Sequence, residues 1–388
     1  MESFGLPDFF GGLRQKCVCK MRLCVKFPCL TKHMAVFAAI CWLFSPGAGM
    51  ATTENLVPLH EPALQLRDPS NVLLINVAHA GTRLVAVGEH GVIIYSDDNG
   101  RSWHQALVPV QVTITTVAFA TPKDGWAAGA YGVILHTTDG GINWKLQLTG
   151  LEVNQLIQQA AAQYSQANPQ SPDALLAVRR ASIFVAAGPD KPFLTIVPLS
   201  ATNAIVLGGY RMCVRTADAG KIWADCSLNV QDPVSHNVYD AIQANGHIYA
   251  VGEAGDIFLA DANGEVFKAL NSPTQTTLFN ILQTKTTALL AFGVADTMFR
   301  STDGGDSWVR VKVPGGSDLT GGVQLKSGMI VVTSENGAVF GSNDDGQSFQ
   351  LLSVDIGMAG FAVTQASNGN VIFVGSRGVS TVSADQLE

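Results

Sequence analysis

The sequence predicts an all-β fold, a seven-bladed β-propeller carrying one helical insertion. Two repeated elements and the composition point to it. The first is an eight-residue turn, Ser96-Asp-Asp98-Asn-Gly100-Arg-Ser-Trp103, repeated from Thr137 to Trp144, Thr216 to Trp223, Ser301 to Trp308 and Ser342 to Phe349, with a weakened copy from Ala260 to Phe267. Gly100 and Gly141 stand 41 residues apart, as do Gly264 and Gly305, and Gly305 and Gly346. The second element is a Gly-x-x-Gly-like turn at 88–91, 129–132, 208–211, 252–255, 293–296, 334–337 and 375–378. Apolar or alternating runs such as Leu84-Val-Ala-Val87 and Val92-Ile-Ile-Tyr95 flank it. A period of about 40 residues built from strand, turn and strand marks a radial array, and seven copies imply seven blades. The 39 glycines and 14% charged residues of this 388-residue chain suit a compact domain rich in short turns.

The eight-residue turn explains its own composition. A Ser or Thr hydroxyl and the carboxylates of Asp98, Asp139, Asp218, Asp303 and Asp344 can accept bonds from nearby N–H groups, while glycine supplies the positive φ of the reversal. This element is the Asp-box signature, and the chain resembles Asp-box (BNR-type) propellers over nearly all of residues 52–388. That resemblance implies a structural role for the boxes, on the face opposite the binding surface. Aspartates so engaged are poor calcium ligands, and the eight histidines show no metal-ligand spacing. No metal, cofactor or catalytic residue is expected.

The ends of the repeat differ. The seventh unit stops short after Ser383-Ala-Asp385, so residues Leu56 to Leu66 are expected to supply its missing outer strand and close the ring. Six Lys or Arg residues precede the apolar stretch Met34 to Phe44, and small residues follow to Ala51, which reads as a signal peptide over 1–51. Export to the periplasm is then expected, or to the thylakoid lumen in a photosynthetic organism. Without residues 1–51 the chain holds 18 basic and 29 acidic residues. Such a balance disfavours nucleic acid and anionic lipid as partners. A monomer is expected, with no membrane insertion after cleavage.

Two cysteines remain beyond residue 51. If Thr216 opposes Trp223 across its turn, the same register sets Cys213 opposite Cys226, and an oxidising compartment would allow a disulfide; a buried reduced pair is the alternative. The period breaks once, at 151–192. There Leu156, Ile157, Ala160, Ala161 and Tyr164 form a helical stripe, predicting a helix from Val153 to Gln166, and Ser171-Pro172-Asp173 can start a second running to Arg180. This insertion lies between blades two and three, on the face of the Gly-x-x-Gly turns. The same face carries Glu89, His90, Tyr131, Tyr210, Arg211, Glu253, Asp296, Glu335, Asn336 and Arg377. Arg211 occupies a glycine slot, and with Arg179, Arg180 and Arg215 it could form a basic spot on an acidic molecule.

Apolar strand, Val-Gly-x-x-Gly, apolar strand, Asp-box and Trp, carried as one exported seven-bladed domain, resemble the photosystem II assembly and stability factor family and its bacterial relatives. The resemblance implies a non-catalytic scaffold that binds membrane-protein subunits through an arginine-containing patch. Arg179, Arg180, Arg211 and Arg215 are its nearest counterparts here, although the insertion carrying two of them departs from the pattern. The competing class is a carbohydrate-active enzyme, since sialidases also carry Asp-boxes. Glu89, Glu253 or Glu335 could serve a two-carboxylate mechanism, but no pair shows a diagnostic spacing, and Arg67, Arg83 and Arg101 do not occupy equivalent turns.

Overall fold

A computed structural model describes residues 58–232 and 234–387. The signal-peptide reading over 1–51 lies outside the described residues. Seven antiparallel sheets follow one another along the chain, six with four strands and the last with three, each ordered as in the sequence. In the first blade the strands are Leu74–Ala80, Arg83–Gly88, Ile93–Ser96 and His104–Gln105. Alternating apolar residues bury both faces of the second strand, because neighbouring blades pack on either side of it.

Every innermost strand begins with a register irregularity, as between Leu74 and Asn76. The Gly-x-x-Gly turn shows why its two glycines differ. At Gly88 a Cβ would lie 2.0 Å from the Leu73 carbonyl oxygen, so close backbone approach demands glycine; Gly91 instead has φ +74° and faces the Val110 carbonyl.

The Asp-boxes are closed by their own side chains. Ser96 Oγ donates to Asp98 Oδ1 at 2.8 Å and accepts from Gly100 N–H at 2.8 Å, while Asp98 Oδ1 accepts from Ser102 N–H at 2.9 Å. Equivalent bonds recur around Asp139, Asp218, Asp303 and Asp344. In the weakened copy Asp261, one position earlier, accepts from Glu265 N–H at 2.9 Å. Each box aromatic enters the core between its own blade and the preceding one: Trp144 joins Val85 and Val87, Trp223 joins Trp126, and Phe349 joins Leu290.

Ring closure departs from the expected outer strand. Residues 58–66 form no strand of the last blade; Leu59 and Ala63 bury themselves beside Val108 and Val110 at the rim of the first. Ala63 N–H donates to the Val108 carbonyl at 2.9 Å and Gln111 N–H to the Pro58 carbonyl at 2.8 Å. The nearest apolar cover for this segment was its own blade, which strand counting overlooks. Residues 56–57 lie outside the described residues. Among the described residues the ring closes through packing, with Trp103 set against Ile372 and Val379, and Val374 against Leu74 and Ala86. His79 also meets the Thr364 hydroxyl at 2.9 Å.

Both expected helices are present and longer than the stripes that predict them. Helix α1 spans Gly150–Ala167 and α2 spans Pro172–Ala186. A capping box, in which Glu152 accepts from Thr149 N–H at 2.7 Å, starts α1 three residues before the expected Val153. Proline in the first turn starts α2.

Candidate functional site

Chain direction sets the Gly-x-x-Gly turns and the connections between blades on one face, and the Asp-boxes on the other. On the former face α1 and α2 lie over the third blade. Ala161, Ala177 and Ala181 let the helices approach closely, and Val153 anchors α1 to Trp126 and Met212. Between the helices and the blade runs a groove of about 300 Å³ lined by Ile157, Phe184, Met212, Leu228 and Val234, with Arg180 and Arg211 among these apolar walls. α2 also exposes apolar side chains, Leu175 at 70% and the groove-lining Ile183 at 61%.

The four candidate arginines do not form one spot. Arg180 and Arg211 both line the groove, whereas Arg179 is exposed on α2. Arg215 lies on the strand Cys213–Thr216, beyond the turn Gly209–Arg211 that holds Arg211. It pairs there with Glu265 at 3.0 Å. Nor is Arg211 a solvated charge: it is 9% exposed and donates to the carbonyls of Asp232 at 2.7 Å and Val230 at 3.4 Å. Burial, and then the neighbouring Arg180 charge, hold its guanidinium below the ordinary value. Its φ is +63°, the left-handed conformation that glycine adopts at Gly91, Gly132 and Gly255. A non-glycine residue held so beside a groove is the kind of strain that clusters at functional positions.

The disulfide register is direct. Arg215 pairs with Ala224 and Val214 with Asp225, and Cys213 and Cys226 are bonded with Cα atoms 4.9 Å apart. That bridge ties the short outer strand of the third blade behind the groove. Asp225 on the groove floor accepts from Ser227 Oγ at 2.6 Å, and burial pushes its carboxyl up.

Two of the glutamates considered for glycoside hydrolysis serve the backbone. Glu89 accepts from Leu73 N–H at 3.4 Å and Glu253 from Asn237 N–H at 3.2 Å, each fastening a turn to the chain entering its own blade. Glu335 is 8% exposed.

One cluster escaped the sequence reading. The connection from blade three to blade four brings His236 Nδ1 to 2.8 Å from Asp256 Oδ2, with Asp232 beside them. Asp232 and His236 are four residues apart and Asp256 twenty further on, a spacing that means nothing until the blade register superposes them. Partial burial opposes charge on His236, but the bond to Asp256 and the charges of Asp256, Asp232 and Glu253 hold its pKa above the ordinary value. Burial raises Asp256 too, against the His236 bond. Both directions describe a cluster that retains a proton.

Residues 101–165 match the family model described as photosynthesis system II assembly factor YCF48, and 94–105 match the BNR/Asp-box repeat. No curated protein sequence matches the chain. Among solved structures, YCF48 bound to D1 peptide is 17% identical at a TM-score of 0.58, covering 83% of this chain and 97% of its own. YCF48 from Cyanidioschyzon merolae is 13% identical at 0.59, covering 83% and 99%. A streptogramin B lyase is 12% identical at 0.60, covering 82% and 95%. By family model and fold the chain is thus similar to the YCF48-type Asp-box propellers. A lyase shares the fold equally, so the fold carries no activity with it.

Proposed function

We propose that this chain is a non-catalytic exported scaffold that binds a segment of a membrane-protein partner in the groove between α1, α2 and the third blade. The observation that carries the reading is the groove itself: an apolar cleft with two inward-facing arginines, built by the one insertion that breaks the repeat. A regular propeller needs neither that insertion nor an arginine in a glycine slot. The exposed Leu175 of α2 extends the apolar surface beyond the cleft, as protein-binding patches do. The similarity to YCF48, one structure of which is bound to D1 peptide, supports a peptide-like partner. The engagement of Glu89 and Glu253 with backbone N–H groups argues against the carbohydrate-active alternative. The basic n-region and apolar stretch before Ala51 support export to the periplasm, or to a thylakoid lumen.

Site-specific photo-crosslinking in native envelopes tests this. A crosslinker at Leu175 should capture a membrane protein, and one at the exposed Leu351 on another blade should not. Equal capture at both positions, or hydrolysis of a glycoside by the pure protein, would overturn the reading.

A further inference from the structure

We propose that Asp232, His236 and Asp256 form a binding site for a borderline divalent cation of the zinc type, set beside the groove. One ligand atom from each residue lies within 4.8 Å of the other two. A tetrahedral zinc site with bonds of about 2.0–2.2 Å spaces its ligand atoms roughly 3.4 Å apart. His236 Nδ1 and Asp256 Oδ2, at 2.8 Å, would therefore separate slightly and release the proton between them, while Asp232 would move in by less than about 2 Å.

The donor set selects the metal class. One imidazole nitrogen with carboxylate oxygens suits a zinc-like ion, whereas calcium requires six or more oxygens. Water can complete the coordination. Asp232 is 5% exposed, and its carboxylate is already aimed: Oδ1 accepts from Val234 N–H at 2.8 Å and Oδ2 from His236 N–H at 2.5 Å. Each oxygen keeps a further lone pair, and such outer bonds are what orient metal ligands. Arg211 donates to the Asp232 backbone carbonyl at 2.7 Å rather than to its carboxylate.

The ligands come from two places, the connection leaving the third blade and the turn of the fourth. A bound cation would join them and fix Val234 and Ser235, which line the groove. Ser235 has φ +67°, a left-handed conformation that such a clamp would hold.

The test is zinc chloride titrated calorimetrically into the chelator-treated full chain, in the absence of any partner. One saturable site with Kd at or below about 10 µM is expected. His236→Ala and Asp256→Asn should each weaken it at least about tenfold. His247→Ala, at an exposed histidine elsewhere, should leave it unchanged. Asp256→Asn keeps a hydrogen-bonding side chain against His236, and circular dichroism checks that each variant folds. Cobalt in place of zinc should give the visible absorption of a tetrahedral complex in wild type alone. Absence of saturable binding, or wild-type affinity retained in Asp256→Asn and His236→Ala, overturns the proposal. Because no partner is present, that outcome leaves the groove reading to be judged separately.

Discussion

The guanidinium of Arg211 donates to the backbone carbonyl of Asp232 at 2.7 Å, tying a strained turn of the third blade to the connection that walls the groove. Replacement by glycine separates the two effects. Arg211→Gly relieves a left-handed conformation costing about 1–2 kcal/mol. It also removes charge-assisted bonds of comparable worth. Global stability should therefore change by less than about 1 kcal/mol in urea unfolding, while amide exchange across 231–237 accelerates. A large loss of stability without local loosening would contradict this division.

Asp139 closes its box by accepting from Ile142 and Asn143 N–H, each at 3.0 Å. Asp139→Ala should lower stability by about 1–2 kcal/mol through those unmet donors. The loss is read from the denaturant midpoint, and crosslinking at Leu175 should persist. Loss of the crosslink at unchanged stability would show that the box face takes part in binding.

The boxes and the core respond oppositely to acid. Hydrogen bonds from Ser102 hold Asp98 at about 2, and those from Ser307 hold Asp303 at about 2. Folded values below the unfolded one give stability present above about pH 4, and that contribution is lost as pH falls toward 2. Asp240 does the reverse. It accepts from Ala241 and Ile281 N–H, yet burial pushes its carboxyl up to about 6. Its contribution is complete below about pH 4 and is lost as pH rises through 6. Stability should therefore rise by an amount on the order of 1–2 kcal/mol on going from pH 7 to 5, seen as a higher melting temperature, then fall below pH 4. Asp240→Asn should flatten the first limb and leave the second. An unchanged profile in that variant would assign the first limb to other groups.

Protein prepared without reductant should contain a Cys213–Cys226 peptide pair by mass spectrometry. Reduction should cost up to about 3 kcal/mol, since the bridge spans a separation of 13 residues and closes a short loop. Two free thiols in oxidised preparations would remove the tie behind the groove.

Much of this was legible because a repeat states its geometry many times over. Five boxes and seven turns fix the blades, and the register through Thr216 and Trp223 extends to Cys213 and Cys226. Arg211 was visible as an intruder in a glycine slot, but its burial was not. That depends on where the chain returns after Val230, beyond any local pattern. The separation of Arg215 from Arg211 follows once Arg211 is placed in the turn and Arg215 on the strand that leaves it. The Asp232, His236 and Asp256 cluster needed a tertiary superposition across two blades.

Leu387 takes part in packing the last blade. Among the described residues that blade has no box aromatic, and Leu387, 2% exposed, enters the core between blades six and seven with Val331, Val339 and Val382. The preceding turn is capped as a box would begin, with Ser383 Oγ bonded to Gln386 Oε1 at 2.9 Å. Leu387 thus stands where Trp103 and Trp144 stand in other blades. Leu387→Ala should cost about 2–4 kcal/mol, as for a leucine removed from a packed core. Leu387→Phe should recover more of that loss than Leu387→Ser. Because the last sheet has three strands among the described residues, loosening should begin there, and amide exchange in Gly378–Val382 should rise before that in the first blade. A Leu387→Ala protein with an unchanged denaturation midpoint would show that the ring closes without this side chain.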